Sequence, residues 1–204
     1  MLFDLDGTLI KSMELHFKCW ENILKKVEKK ISREEFFLLE GTNINQLMMK
    51  YSGIKDKEKI QDLVNAKDQL FINAFKFELY EGALDVLQLL KAANKKIGLV
   101  TASSKKRLEN TAPKSFLGLF DAIVVSEEAG RGKPFPDPYL KALSMLEIAS
   151  SEALVIENAP LGIMAARQAK ITCVGMTHTL PKKLLMDANW HYENFIEILK
   201  GSNK

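Results

Sequence analysis

Residues 1–9 read MLFDLDGTL, and the fold turns on how that stretch is taken. Leu2, Phe3 and Leu5 are apolar; Asp4 and Asp6 stand between and beyond them, followed at once by Gly7 and Thr8. In an extended chain, side chains two apart share a face, about 6.6–6.8 Å apart along it, so both carboxylates can point to one spot where a strand ends. Two like charges about 4 Å apart, at an effective dielectric near 20, repel by about 4 kcal/mol. A divalent cation would remove that cost, and a proton held on one of the two would do so in part. Gly7 lets the backbone turn sharply or approach a ligand closely. Alone, D-x-D-G is most simply an acidic turn on a surface strand. What alters the reading is the polar residues at the ends of apolar runs elsewhere in the chain. Only three residues precede Asp4, short for a central strand, which points to a truncated or misassigned start.

The chain has 204 residues, enough for a sizeable core and for one domain, or one domain with an insert. It is 47% hydrophobic and 27% charged, with a formal net charge of +3. That excess is spread over lysine pairs from Lys25-Lys26 to Lys182-Lys183 with acids between, so it reads as solvated faces and not as a nucleic-acid stripe. No apolar run approaches the roughly 18 residues that span a bilayer. The N-terminus carries acids where a signal peptide carries basic residues. Cys19 and Cys173 lack metal-type spacing and sit in apolar patterns, as small buried thiols do, so a reduced cytoplasm is the expected location.

From Met13 the pattern turns helical. Met13, Phe17, Trp20, Leu24, Val27 and Ile31 form one apolar stripe. Ser32 and Glu35 make a capping-box signature for a helix through Leu39, which Glu40-Gly41 breaks. Helices are predicted over about 44–51 and about 60–75. Residues 13–79 therefore read as all-helical. After Gly82, apolar runs at 97–100, 122–125, 153–156 and 171–176 alternate with helical stretches, the pattern of a parallel α/β sheet with helices on both faces. The expected organisation is an α/β core from 1–12 and 80–204, interrupted after its first strand by a helical insert over 13–79.

In such sheets ligands sit outside the carboxyl ends of the strands. Asp4, Asp6, Thr101 and the Glu157-Asn158 pair all fall there, and Lys133 follows a fourth strand. For a phosphate ester, a carboxylate can attack phosphorus to give an acyl phosphate, and a second carboxyl can shuttle the proton. A hydroxyl, backbone N–H groups, a lysine and a divalent cation can hold the remaining oxygens. Lys133 is followed by Pro134, and G-x-x-x-x-G-K-[ST] spacing is absent, so no P-loop is present.

DLDGT (4–8), VTASS (100–104), GKPFPD (132–137) and VIENAPLGIMAA (155–166) resemble, in order, the four motifs of the haloacid dehalogenase-like hydrolases, and the likeness runs through the whole chain. The resemblance implies a Rossmann-like parallel sheet with the small helical cap of the β-phosphoglucomutase-like branch. It implies Asp4 as nucleophile and Asp6 as general acid/base. Thr101 and the Ala102 N–H would bind the phosphoryl group, with Lys133 neutralising it. Mg²⁺ would be held by Asp4, the Asp6 carbonyl, Glu157 and Asn158. Ser103 and Ser104 either contact substrate or cap the next helix.

The chain departs from that branch in places. Asn158 stands where the motif usually carries a second acid, and an amide oxygen ligates without supplying charge. Glu40 stands in the cap where mutases usually present a lysine, and it is a candidate to close over the metal or position water. His16 lies about 40° round its helix from Trp20 and is a candidate hydrogen-bond partner of Asp6. The arginine with which a mutase cap grips a second phosphate would fall at Ile44, and Lys11 replaces a hinge Asp. The expected activity is therefore a Mg²⁺-dependent phosphatase on a small phosphorylated metabolite or inorganic pyrophosphate. A sugar-phosphate mutase is the alternative, and a non-catalytic phosphoryl-binding module the alternative of another class. No nucleic-acid or membrane partner is expected. Oligomeric state is written in no motif, and a monomer is the expectation.

Overall fold

The computed structural model describes residues 1–201. Its centre is a parallel six-stranded sheet of order β3-β2-β1-β4-β5-β6, with β1 Leu2–Phe3, β2 Gly98–Val100, β3 Ala122–Val124, β4 Leu154–Glu157, β5 Thr172–Met176 and β6 Trp190–Tyr192. Short as it is, β1 is the inner strand: Leu2 pairs with Gly98 on one side and Val155 on the other. Successive residues of a strand face opposite sides, and the core divides accordingly. Leu2 packs with Val155, Ala122 and Tyr139, whereas Phe3 packs with Leu99, Ile156 and Val174. The first face is covered by α8 Asp137–Leu146 and α9 Pro160–Gln168. The second is covered by α5 Ala83–Ala92, α6 Lys105–Thr111, α7 Lys114–Leu117 and α10 Phe195–Gly201.

Four helices are inserted between β1 and α5: α1 Met13–Lys25, α2 Arg33–Leu38, α3 Ile44–Ser52 and α4 Lys57–Ala74. Their starts follow from side chains that supply the partners helix N-termini lack. Ser32 accepts from the Glu35 N–H, Asn43 from those of Asn45 and Gln46, and Asp56 from those of Glu58 and Lys59. Trp20, Ile23, Leu24, Phe36, Met48 and Ile60 form the apolar interior of this cap. The two linkers that join it to the sheet run side by side. Ile10 and Leu79 form an antiparallel bridge, the Lys11 N–H donates to the Glu78 carbonyl at 2.9 Å, and the Lys11 ammonium pairs with the Glu78 carboxylate. That pairing is what the lysine at the hinge does. Among the described residues no helix is long and apolar enough to cross a membrane. Cys19 and Cys173 are both buried free thiols.

Candidate active site

The carboxyl ends of the central strands meet below the cap. Asp4 leaves β1 with its N–H donating to the Ile156 carbonyl at 3.1 Å, which keeps it in line with the sheet. The chain then turns at Gly7, whose φ of +78° favours glycine. A Cβ there would also meet Asn158 Nδ2 at 2.4 Å and Glu40 Oε1 at 3.0 Å, so the turn can be this tight only without a side chain.

Lys133 Nζ donates to Asp4 Oδ1 at 2.7 Å and to Glu157 Oε1 at 2.6 Å. All three groups are buried. Burial pushes the Asp4 carboxyl up to about 7, helped by the Glu157 charge and opposed by Lys133. For Lys133, burial works against the ammonium, but the two carboxylates more than offset it and hold its pKa above the usual range. Asp4 Oδ2 is buried and has no hydrogen-bond partner. Asp4 thus has one oxygen fixed and one left to act.

Asp6 is held differently. Burial alone would raise its carboxyl, yet His16 and Arg107 beside it hold its pKa well below the ordinary range. Oδ1 faces His16 Nε2 at 3.1 Å, while Oδ2 accepts from Ser103 Oγ at 2.8 Å and Arg107 Nη2 at 3.1 Å. The Lys67 ammonium donates to His16 Nδ1 at 3.0 Å, so that nitrogen is the acceptor and the ring proton sits on Nε2, aimed at Asp6. Burial beside Lys67 lowers the His16 pKa to about 3. The imidazole is therefore neutral at ordinary pH and gives Asp6 a hydrogen bond; the positive charge on that carboxylate comes from Arg107. Phe71 stacks on the imidazole at 3.9 Å and keeps the ring in this plane.

From the cap, Glu40 reaches the sheet: its Oε2 accepts from Asn158 Nδ2 at 2.7 Å. Its Oε1 is buried without a partner, and burial plus the charges of Asp4, Glu157 and Asp6 raise its pKa well above a normal glutamate. Asn158 is further fixed by Thr8 Oγ1 donating to its Oδ1 at 2.7 Å and by Thr179 Oγ1 accepting from Nδ2 at 2.9 Å. Asp4, Asp6, His16, Glu40, Lys67 and Arg107 line a cavity of about 70 Å³ whose remaining wall is largely apolar, with Trp20, Phe36, Leu47 and Ile44. A neighbouring groove of about 240 Å³ is lined by Thr101, Ala102, Gly41 and Lys133.

The haloacid dehalogenase-like hydrolase family matches this sequence over residues 1–176. The chain belongs to that family. A validoxylamine A 7'-phosphate phosphatase of Streptomyces hygroscopicus subsp. limoneus is 28% identical over 213 residues, spanning 97% of this chain and 94% of its own length. The beta-phosphoglucomutase of Bacillus subtilis (strain 168) is 29% identical over 197 residues, 89% of this chain and 84% of its own. The solved structure of a HAD hydrolase, family IA, variant 3, from Entamoeba histolytica superposes with a TM-score of 0.81 at 28% identity, covering 96% of this chain and 93% of that one. This hydrolase has a Rossmann-like core with an inserted helical cap, and it is a phosphatase that works through an aspartyl-phosphate.

Two residues of this hydrolase make contacts that the motifs do not spell out. Glu157, expected beside Asn158 as a metal ligand, has both oxygens committed to the protein. Oε1 accepts from Lys133 and from the Tyr139 hydroxyl at 2.9 Å, and Oε2 from the N–H groups of Asn158 and Ala159 at 3.0 and 3.1 Å. It is fully buried against the start of α9, and it shares the Lys133 ammonium with Asp4. Of the two serines expected to contact substrate or cap the next helix, Ser104 caps α6 through the Arg107 N–H, while Ser103 is 2% exposed and donates to Asp6. Thr101 Oγ1 accepts the Ser103 N–H at 3.0 Å. Thr8, Lys67, Asp68, Arg107, Tyr139 and Thr179 were not singled out from sequence. Thr8 lies inside the first motif; the others carry no local signal, since a lysine, aspartate or arginine on an amphipathic helix reads as solvated.

Proposed function

We propose that this hydrolase is a Mg²⁺-dependent phosphatase of a small phosphorylated metabolite or inorganic pyrophosphate, with Asp4 as its nucleophile. The observation that carries the reading is the division of labour on Asp4: Lys133 holds Oδ1, and Oδ2 is buried and unpartnered. A free, desolvated carboxylate oxygen at the mouth of the sheet is what an attack on phosphorus requires.

The donor set suits Mg²⁺. Among the described residues no three His, Cys, Asp or Glu side chains are grouped as a metal cluster. What remains is the Asp4 carboxylate through the oxygen that does not attack, the unpartnered oxygen of Glu40, the Asn158 amide and the Asp6 carbonyl, an all-oxygen set of the kind a hard divalent cation takes. When bound, the ion would neutralise the two carboxylates and draw charge off the phosphoryl oxygens.

The chain's own residues then act as follows. Thr101 and the Ala102 N–H orient the phosphoryl oxygens, with Lys133 opposite. Asp4 Oδ2 bonds to phosphorus as the bond to the leaving oxygen breaks, giving the aspartyl-phosphate. Asp6 is ionised in the resting protein; it takes up a proton as the substrate anion arrives, hands that proton to the leaving oxygen, and takes one from the water that attacks the intermediate. Phosphate departs and the Asp4 carboxylate is restored. The cap excludes bulk water from the first step. A mutase must grip a second phosphate on a sugar; Ile44 presents an apolar side chain to a cavity far smaller than the roughly 300–1,000 Å³ of sites for larger ligands. That favours hydrolysis over isomerisation.

The test is phosphate release from a panel of small phosphate esters and pyrophosphate, with Mg²⁺ or with chelator, beside Asp4→Asn. Turnover should need the metal and fall by about 10³-fold or more in the variant. Turnover surviving Asp4→Asn would remove the nucleophile assignment. Isomerisation of a sugar phosphate primed by its bisphosphate would favour the mutase.

A further inference from the structure

His178 belongs to none of the four motifs, and the mechanism above gives it no step. It stands just past the end of β5, beside the Thr179 that holds Asn158. In the sheet β4 lies between β1 and β5, so this loop has to reach across the end of β4 to touch the turn that follows β1. It does so: His178 Nε2 lies 2.6 Å from the Gly7 carbonyl oxygen. A carbonyl only accepts, so the ring proton sits on Nε2. Burial lowers the His178 pKa, against the pull of the Gly7 and Glu193 backbone, and the imidazole is neutral at ordinary pH. Gly7 is thereby held on both sides. Its N–H donates to the Ile10 carbonyl at 3.0 Å, which fixes the peptide carrying the Asp6 carbonyl, and its own carbonyl is fixed by His178.

The flat face of the same ring stacks on Tyr80, with centroids 3.7 Å apart and planes 14° from parallel. Tyr80 closes the second linker: its N–H donates to the Leu9 carbonyl at 2.9 Å, and its carbonyl accepts from the Ala83 N–H, at the start of α5, at 3.1 Å. One side chain of the sheet domain therefore grips the core ends of both linkers, the first through a hydrogen bond and the second through its ring. These linkers are the chain's two crossings between core and cap. On the cap side of the grip the packing opens. A cavity of about 250 Å³ is lined there by Met13, Arg33 and Phe37 from the cap and by Tyr80, His178 and Thr179 from the core. The tight contact and the loose one lie next to each other, as the two sides of a hinge do.

We infer that His178 is a positioning residue that pins the core end of this hinge. The bend that opens the cap then falls beyond the grip, at residues 11–13 and 76–78, and the Asp4–Gly7 turn keeps its place on the sheet while the cap swings. The mechanical part of the inference rests on the geometry alone, and its consequence for turnover rests on the phosphatase reading.

Two variants separate the parts of the grip. His178→Phe keeps a flat ring for Tyr80 and removes the donor, whereas His178→Gln keeps a donor and removes the ring. Amide hydrogen exchange is read on the ligand-free proteins, each checked by thermal unfolding. In His178→Phe, exchange at 7–12 should quicken about tenfold while the cap interior and β4 keep wild-type rates, because an unpaired carbonyl loosens the turn and not the domain. With an ester from the panel above that wild type hydrolyses, kcat should fall about 30-fold in His178→Phe with KM within about twofold, as displaced reacting groups require. His178→Gln should bring both readouts to within about threefold of wild type. Unchanged exchange at 7–12 in His178→Phe would overturn the inference, whether or not any ester is hydrolysed. Exchange that quickens across cap and sheet alike, or a kcat that His178→Gln does not recover, would also overturn it, since the ring would then be packing only. Local loosening with wild-type kcat would leave a hinge contact and overturn the positioning role. Should His178→Phe not fold, Tyr80→Leu loosens the grip from the other side: exchange about tenfold faster at 7–12 supports the inference, and wild-type exchange there overturns it. Release of phosphate from no ester by wild type would remove the phosphatase reading and leave the exchange result to decide the hinge.

Discussion

A carboxyl group that burial lifts to about 7, as at Asp4, must lose its proton before it can hold a cation or attack phosphorus. Glu40 is also raised well above a normal glutamate, by burial and by the charges of Asp4, Glu157 and Asp6. Both groups therefore tend to carry protons in the metal-free protein near and below neutrality, and Mg²⁺ has to displace them. The sign follows directly: apparent Mg²⁺ affinity should weaken as pH falls from 8 to 6, by up to about tenfold per pH unit for each proton released. Titration calorimetry at pH 6, 7 and 8, in buffers of different ionisation enthalpy, counts those protons. Glu40→Gln should weaken binding about tenfold and release fewer protons. An unchanged affinity and proton count in that variant would take Glu40 out of the metal site, leaving its contact with Asn158 as a cap-to-core hydrogen bond only. His16 adds nothing to this profile, since its pKa of about 3 keeps it neutral throughout the range.

At the scale of the element, the start of α9 carries more than its length suggests. The Glu157 carboxylate lies against its first turn, with Oε2 on the Asn158 and Ala159 N–H groups, the favoured place for a negative charge on a helix. Gly162 makes room for it: a Cβ there would stand 1.7 Å from Oε1 and 2.0 Å from Cδ. Glycine to alanine inside a helix ordinarily gains up to about 1 kcal/mol. In Gly162→Ala the overlap should win, with a net loss of about 2 kcal/mol or more in denaturant unfolding and a fall in kcat as Lys133 loses its second partner. A variant more stable than wild type would mean that Glu157 can move aside at no cost. The elements themselves were largely legible in the sequence, because each apolar run bounded by a helix is a buried parallel strand and each stripe at helical spacing covers a core. The misses have physical causes. The stripe through Val27 and Ile31 extends past Lys25, where α1 ends, because Glu28 turns into positive φ, a backbone choice that periodicity does not report. The edge strand β6 was not foreseen: Trp190 is 53% exposed, and an edge strand needs no continuous apolar run. Polar residues at strand ends could be picked out one by one, but which way each turns could not. The direction of Glu157 is set by Lys133 and Tyr139, 24 and 18 positions away in the chain.

The whole molecule is a sheet and a cap joined by two paired linkers, and the site is complete only when the halves meet. Four contacts cross the gap at the polar interior: His16 to Asp6 at 3.1 Å, Glu40 to Asn158 at 2.7 Å, and Asp68 to Arg107 at 3.3 Å and to Ser104 at 3.4 Å. Substrate and product must pass, so the cap opens and closes, and whatever bonds exist only when closed set the balance between the two states. Asp68 is the cleanest probe of that balance, because it lines the outer groove and not the inner cavity, whereas His16 and Glu40 stand among the reacting groups. Asp68→Asn keeps the shape and removes the charge from the bond to Arg107 and, within the cap, from the pair with Lys67 at 3.2 Å. Losing about 1.4 kcal/mol from the closed state alone lowers the closed-to-open ratio about tenfold. When the closed form is no longer dominant, kcat/KM should fall by up to that factor. Thermal unfolding should move by less than about 2 °C, since the apolar interiors of cap and sheet hold without this bond. Small-angle scattering with Mg²⁺ and saturating phosphate should then show the variant more open than wild type under the same conditions. A lowered kcat/KM with no change in scattering would place Asp68 in the support of Asp6 through Arg107 instead of in closure. A large drop in unfolding temperature with both would mean that the cap is held on by this bond, and not merely balanced by it.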